Sequence, residues 1–136
     1  EGPKMVLTPT YHVYKMYVPF QDATLLPISF NAGVYKFDKI TLPKVDAIAA
    51  KGKDGKIWLA LINLDPNNST NVTANIPGIT ATSAVGEVLT AASFNTINNF
   101  EAPNAVAPKP YSAKAENGSL VLRLAPHSVT VVELRP

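Results

Sequence analysis

Ten carboxylates, two histidines and a scatter of hydroxyls and aromatic rings are the groups in this chain that could do chemistry. Two carboxylates set close together can divide acid, base and nucleophile roles between them. The acidic residues are Glu1, Asp22, Asp38, Asp46, Asp54, Asp65, Glu87, Glu101, Glu116 and Glu133. Asp54 falls in a turn, Glu116 borders another, and Glu133 stands in a terminal strand next to Arg135. None has the setting of an acid–nucleophile pair, so each reads as solvated surface charge and no catalytic residue is assigned. His12 and His127 lie at opposite ends of the chain, and neither has a second ligand at metal-binding spacing. His12 reads as a packing or capping residue of a helix, and His127 as a turn residue. Ser128, beside His127, lacks the glycines of a nucleophile elbow. With no cysteine, thiol catalysis, disulfides and thiolate metal sites drop out together. No metal and no cofactor is expected.

Aromatic rings offer a different chemistry, stacking on sugars. Trp58 sits in a segment apolar on both faces and reads as core. Tyr35 and Phe37, in an expected loop next to Gly33, are the candidate sugar-stacking pair. Asn67, Asn68, Asn71 and Asn117 each open an Asn-x-Ser/Thr sequon and read as exposed positions.

Positioning these groups falls to short strands. Thr8-Pro9 suits a helix start, with Thr capping and Pro in the first turn; the helix would run through Tyr11–Tyr17 and stop before Pro19. Met5-Val6-Leu7 before it reads as a short buried strand. From Thr24 onward apolar residues recur at every second position: Leu26, Ile28 and Phe30, then Val72, Ala74 and Ile76, then Leu120, Leu122 and Leu124. Residues 45–51 and 56–64 flank Lys53-Asp54-Gly55, a hairpin signal, and Asn117-Gly118 is a second. Ile57–Ile62 is apolar on both faces and predicts a central strand. Residues 85–90 and 129–134 add two more strands. Residues 91–110, with Asn95, Asn98, Asn99, Asn104 and three prolines, predict a long ordered loop of the kind that carries function or an interface. The pattern predicts an all-β antiparallel sandwich of jelly-roll type with seven or eight strands.

At 136 residues and 46% hydrophobic, the chain is long and apolar enough for one core. A net charge of +2 without a basic run gives no nucleic-acid footprint, and no apolar stretch is long enough to span a membrane as a helix. The sequence opens Glu1-Gly2-Pro3 without Met, which reads as a processed chain or an excised fragment.

Several segments, in order, resemble one family. Met5-Val6-Leu7-Thr8-Pro9-Thr10-Tyr11-His12-Val13-Tyr14-Lys15-Met16-Tyr17 resembles the end of the catalytic barrel of family-51 glycoside hydrolases, the α-L-arabinofuranosidases. Ala60–Asp65 resembles their central sandwich strand. Leu89-Thr90, Asn98-Asn99-Phe100-Glu101, Pro103 and Val106 resemble a further stretch, although Asn99 here stands directly before Phe100. Ala125-Pro126-His127-Ser128-Val129 resembles the closing turn and last strand. The resemblance implies that residues 1–23 end a (β/α)₈ barrel and lead out of it, and that residues 24–136 form a C-terminal sandwich. It implies a parent that removes terminal α-L-arabinofuranosyl groups from arabinan or arabinoxylan with retention, using two glutamates on barrel strands upstream. The partners implied are that barrel in the same polypeptide, further copies in a homo-oligomer and, through the parent, arabinose-containing polysaccharide. Intracellular, periplasmic and secreted bacterial settings all fit. The rival from another class is a free-standing carbohydrate-binding module. An immunoglobulin-like interaction domain lacks its Cys…Trp…Cys pattern.

Overall fold

A computed structural model describes residues 2–136; Glu1 lies outside them. The described residues form ten strands and one short α-helix; eight of the strands make two packed layers and the other two make a separate hairpin. In chain order they are α1 (Pro9–Met16), a 3₁₀ turn (Val18–Phe20), β1 (Thr24–Leu26), β2 (Val34–Phe37), β3 (Ile40–Pro43), β4 (Val45–Lys51), β5 (Ile57–Asn63), β6 (Thr70–Thr73), β7 (Ser83–Leu89), β8 (Lys109–Lys114), β9 (Val121–Leu124) and β10 (Ser128–Arg135). The main layer is a six-stranded antiparallel sheet of order β1-β4-β5-β10-β7-β8. The second layer is the antiparallel pair β6–β9, extended by a bridge from Ser29 to Asn75. Residues 24–30 therefore pair with β4 at one end and with the second layer at the other.

Alternation decides what is buried. Leu59, Leu61, Val132, Leu134, Ala84 and Val45 point inward from the six-stranded sheet and meet Val72, Ile76, Leu122 and Leu124 of the second layer. Each fully buried Leu or Val contributes about 1.5–3 kcal/mol. β5 lies between β4 and β10 and is apolar on both faces because both faces are covered. On its outer face Met16 of α1 packs with Ala60, Leu89, Val106 and Val131, over a half-buried Trp58. An eight-residue helix is too short to persist alone. It is held by this contact and by its cap, where the Thr8 hydroxyl accepts a hydrogen bond from Tyr11 N–H at 3.2 Å.

Four features differ from the sequence reading. Residues 5–7 form no ladder, since a strand exists only by pairing with another and the described chain offers them none. Residues 34–43 form a hairpin rather than a loop, and with β8 this raises the strand number to ten. β8 takes in Lys109 and Pro110 from the expected loop; an edge strand tolerates Pro because one row of its N–H groups faces away from the ladder. Asn117-Gly118 makes a tight turn, both residues at positive φ, closed by the Glu116–Ser119 bridge. The strands it joins nevertheless belong to different layers, so it is a crossover and not the tip of a hairpin.

Candidate functional site

The register places one end of the sandwich at the start of β4, the ends of β5 and β7, and the start of β10, since Val45 and Ser128 both pair with Asn63, and Leu89 pairs with Val129. Here the strands give way to a buried polar knot. Asn63 is buried; its side-chain amide donates to the carbonyls of Asn68 (2.9 Å) and Ala125 (2.8 Å), and its Oδ1 accepts from Asp65 N–H. The Asp65 carboxylate, also buried, accepts from the backbone N–H groups of Asn67 and Asn68 and from the Asn68 amide, with Lys44 Nζ at 3.4 Å. Burial alone would raise its pKa. The two backbone donors, the Asn68 amide and Lys44 outweigh that and hold it below the ordinary carboxylate value.

His127 completes the knot at φ 39°. Its N–H donates to the Asp65 carbonyl, and its ring nitrogens lie 2.8 Å from the Pro66 carbonyl (Nδ1) and 2.9 Å from the Ala91 carbonyl (Nε2). Ser128 Oγ donates to the Ala125 carbonyl and Thr90 Oγ1 to that of Pro126. The ring of His127 and the hydroxyl of Ser128 are thus committed to backbone carbonyls, where they order turns. His12 packs in α1 as expected, with its Nε2 buried and unpartnered.

The loop that leaves this end after Leu89 is ordered by Asn98. Its amide donates to the carbonyls of Leu7 and Val106, both at 2.8 Å, and its Oδ1 accepts from Val106 N–H at 2.7 Å. One side chain therefore pins the loop to itself and to the segment before α1. Asn99 Oδ1 caps the next turn, accepting from Glu101 and Ala102 N–H. The stretch is marked in the sequence by its composition and by the resemblance of Asn98-Asn99-Phe100-Glu101, but nothing there distinguishes Asn98 from its neighbour Asn99 as the side chain that bonds backbone on both sides.

The candidate stacking pair Tyr35 and Phe37 lies in β2. The two rings share one face of the hairpin, opposite Leu42 and Ile40; Phe37 is 66% exposed and Tyr35 half-buried. The carboxylates are not brought together. Glu133 pairs with Lys56 and Arg135, and Asp22 with Lys53. Among the described residues no three His, Asp or Glu side chains gather as a metal site would require, and no helix is long and apolar enough to cross a membrane.

The sequence family described as alpha-L-arabinofuranosidase C-terminal domain matches residues 1–128. An intracellular exo-alpha-L-arabinofuranosidase of Bacteroides ovatus is 41% identical over 134 residues, which is 97% of this chain and 26% of that protein. The crystal structure of the GH51 arabinofuranosidase from Xanthomonas axonopodis pv. citri superimposes with a TM-score of 0.93 at 38% identity, over 99% of this chain and 28% of that one. The arabinose complex of the Thermotoga maritima alpha-L-arabinofuranosidase shares the fold, with a TM-score of 0.74 at 22% identity, over all of this chain and 30% of that one. The chain thus spans little more than a quarter of the length of these relatives.

Proposed function

Since this chain belongs to the alpha-L-arabinofuranosidase C-terminal domain family, we propose that it is the non-catalytic sandwich of an α-L-arabinofuranosidase. In this reading the parent hydrolyses terminal α-L-arabinofuranosyl groups of arabinan or arabinoxylan with retention, and the glutamate pair stands upstream of residue 1. Residues 1–23 end the catalytic barrel and lead into the sandwich of residues 24–136. The sandwich packs on the barrel, stabilises it and contributes to a homo-oligomer.

One observation carries the reading: an ordered match along 97% of the chain to a protein nearly four times as long and named for this activity. The local chemistry agrees with it. A retaining glycosidase needs two carboxyl groups about 5 Å apart in a site that separates their proton affinities. Here Asp65, the one buried carboxylate described, is held ionised by four donors and has no acidic partner beside it. Its arrangement orders a turn.

The assay is hydrolysis of a nitrophenyl α-L-arabinofuranoside by the parent and by residues 1–136. The reading predicts turnover by the parent and none by the shorter chain; turnover by both at equal rates would overturn it. A free-standing carbohydrate-binding module has one feature in its favour, the exposed Phe37 beside Tyr35. Titration with arabinan or arabinoxylan decides: saturable binding lost in Phe37→Ala supports the module, and no heat supports the structural role.

A further inference from the structure

The two ends of the sandwich differ in chemistry. The end at Lys51, Ile57 and Arg135 is charged and solvated. It carries the ion pairs Lys53–Asp22 (3.1 Å), Lys56–Asp54 (3.9 Å), Lys56–Glu133 (3.7 Å) and Arg135–Glu133 (3.4 Å). The end at Val45, Asn63 and Leu89 instead gives rise to two projections that expose large apolar side chains. From the β7 end comes the Asn98-pinned loop, with Phe94 74%, Ile97 68% and Phe100 51% exposed. Rooted at the start of β4, where Lys44 N–H bonds the Gly33 carbonyl, is the β2–β3 hairpin. On one face it aligns Tyr35 with Leu42 and Phe37 with Ile40; Phe37, Ile40 and Leu42 are 66%, 54% and 43% exposed.

A two-stranded hairpin is at best marginally stable in water unless its apolar face is covered. This hairpin makes its main contacts only within itself. Soluble proteins rarely leave contiguous apolar patches of this kind open, and those they leave are contact sites.

We infer that the apolar face of the β2–β3 hairpin and the Phe94–Phe100 segment together form the seat of the upstream part of the same polypeptide. The inference rests on the proposed function and names the surface it uses. Two observations select this occupant. Relatives matched over nearly all of this chain are covered by it for only 26–30% of their lengths, and the matching family is a C-terminal domain, so the remainder precedes residue 1. The chain before α1 lies at this same end, because Asn98 holds the Leu7 carbonyl there. A body several times the size of the sandwich, entering beside Leu7, meets the Asn98-pinned loop at the same end of the sandwich at which the hairpin is rooted. A sugar chain fits the hairpin less well. Tyr35 brings the one polar atom among its four side chains, and sugar sites combine ring stacking with several aimed hydrogen-bonding groups.

The test uses the full-length enzyme, prepared as an equal mixture of ¹⁴N- and ¹⁵N-labelled chains. Hydroxyl-radical footprinting, with and without arabinan, reads whether Phe37, Ile40, Leu42, Phe94 and Phe100 are covered. Lysine cross-linking from Lys36 and Lys39 reads by what. Several-fold protection without sugar, with cross-links to upstream residues only within chains of one label, is the expected result. Full reactivity of the hairpin, protection only with arabinan, cross-links between light and heavy chains, or none to upstream residues, each overturns the inference. Hydrolysis of the nitrophenyl arabinofuranoside by the same preparation is read separately. An inactive enzyme with a protected hairpin would sink the proposed function and leave the seat standing.

Discussion

Asp65 is the residue on which the buried polar knot depends most. Its carboxylate gathers two backbone N–H groups, one side-chain amide and one ammonium group, none of which has another acceptor within the knot. Asp65→Ala strands those donors, and an unsatisfied buried polar group costs about 1–3 kcal/mol; the urea midpoint of the chain should fall accordingly. The pH dependence has a definite sign. The folded carboxyl titrates below the unfolded one, so its contribution is complete above the ordinary carboxylate value of about 3.9 and is lost as pH falls through the lower folded value. Acid unfolding of the wild type should therefore steepen below that value, and Asp65→Asn should flatten this limb. Asn98 acts over a longer distance. Asn98→Ala removes three hydrogen bonds to Leu7 and Val106, each net worth about 1 kcal/mol. Amide exchange should quicken at Val106, the one backbone N–H it holds, and in the loop around it, while β5 and β10 stay protected.

The elements show how tightly a strand can be specified. Gly86 lies in the middle of β7 opposite Val132. A Cβ there would overlap the Val131 carbonyl oxygen and approach Val132 Cα to 2.7 Å, both backbone atoms of β10 that cannot swing aside. Gly86→Ala should destabilise on the order of 3 kcal/mol, measured as a drop in Tm with no new soluble state. Much of this layer was legible in the sequence. The Asp-Gly turn between β4 and β5, the double-sided apolar run of β5 and the alternation of β9 all report burial directly, and burial is what the pattern encodes. Thr8-Pro9 marked the helix start to the residue. The β2–β3 hairpin was not legible, because none of its strand residues is fully buried and its tip, Asp38-Lys39, has no glycine; Asp38 itself takes the positive φ, 50°. Asn117-Gly118 misled for the converse reason: a turn signal fixes the local reversal of the chain and not which sheet receives the next strand. In the polar knot Asn63, Asp65 and His127 come together from two distant segments, a pairing that only the register of β5 with β10 creates.

The whole molecule is a sandwich whose ends differ: four surface ion pairs gather at one, and at the other a buried polar knot underlies two projections that expose large apolar side chains, while the described α-helix lies on the outer face of the larger sheet. Nothing in its composition required that division, since exposed Phe94, Phe100 and Phe37 are indistinguishable in sequence from core residues. The polarity follows once the strands are in register, and it agrees with a domain made to sit against a larger body. The family assignment rested on the ordered set of segments, and the match over residues 1–128 agrees with it. On the proposed function, this sandwich is one part of a larger arabinofuranosidase whose catalytic pair stands upstream. The intact mass of the native polypeptide from its source tests that most directly. A chain longer by at least a barrel of about 250 residues that contains this sequence is the expected result. A native polypeptide of 14.5 kDa would contradict it.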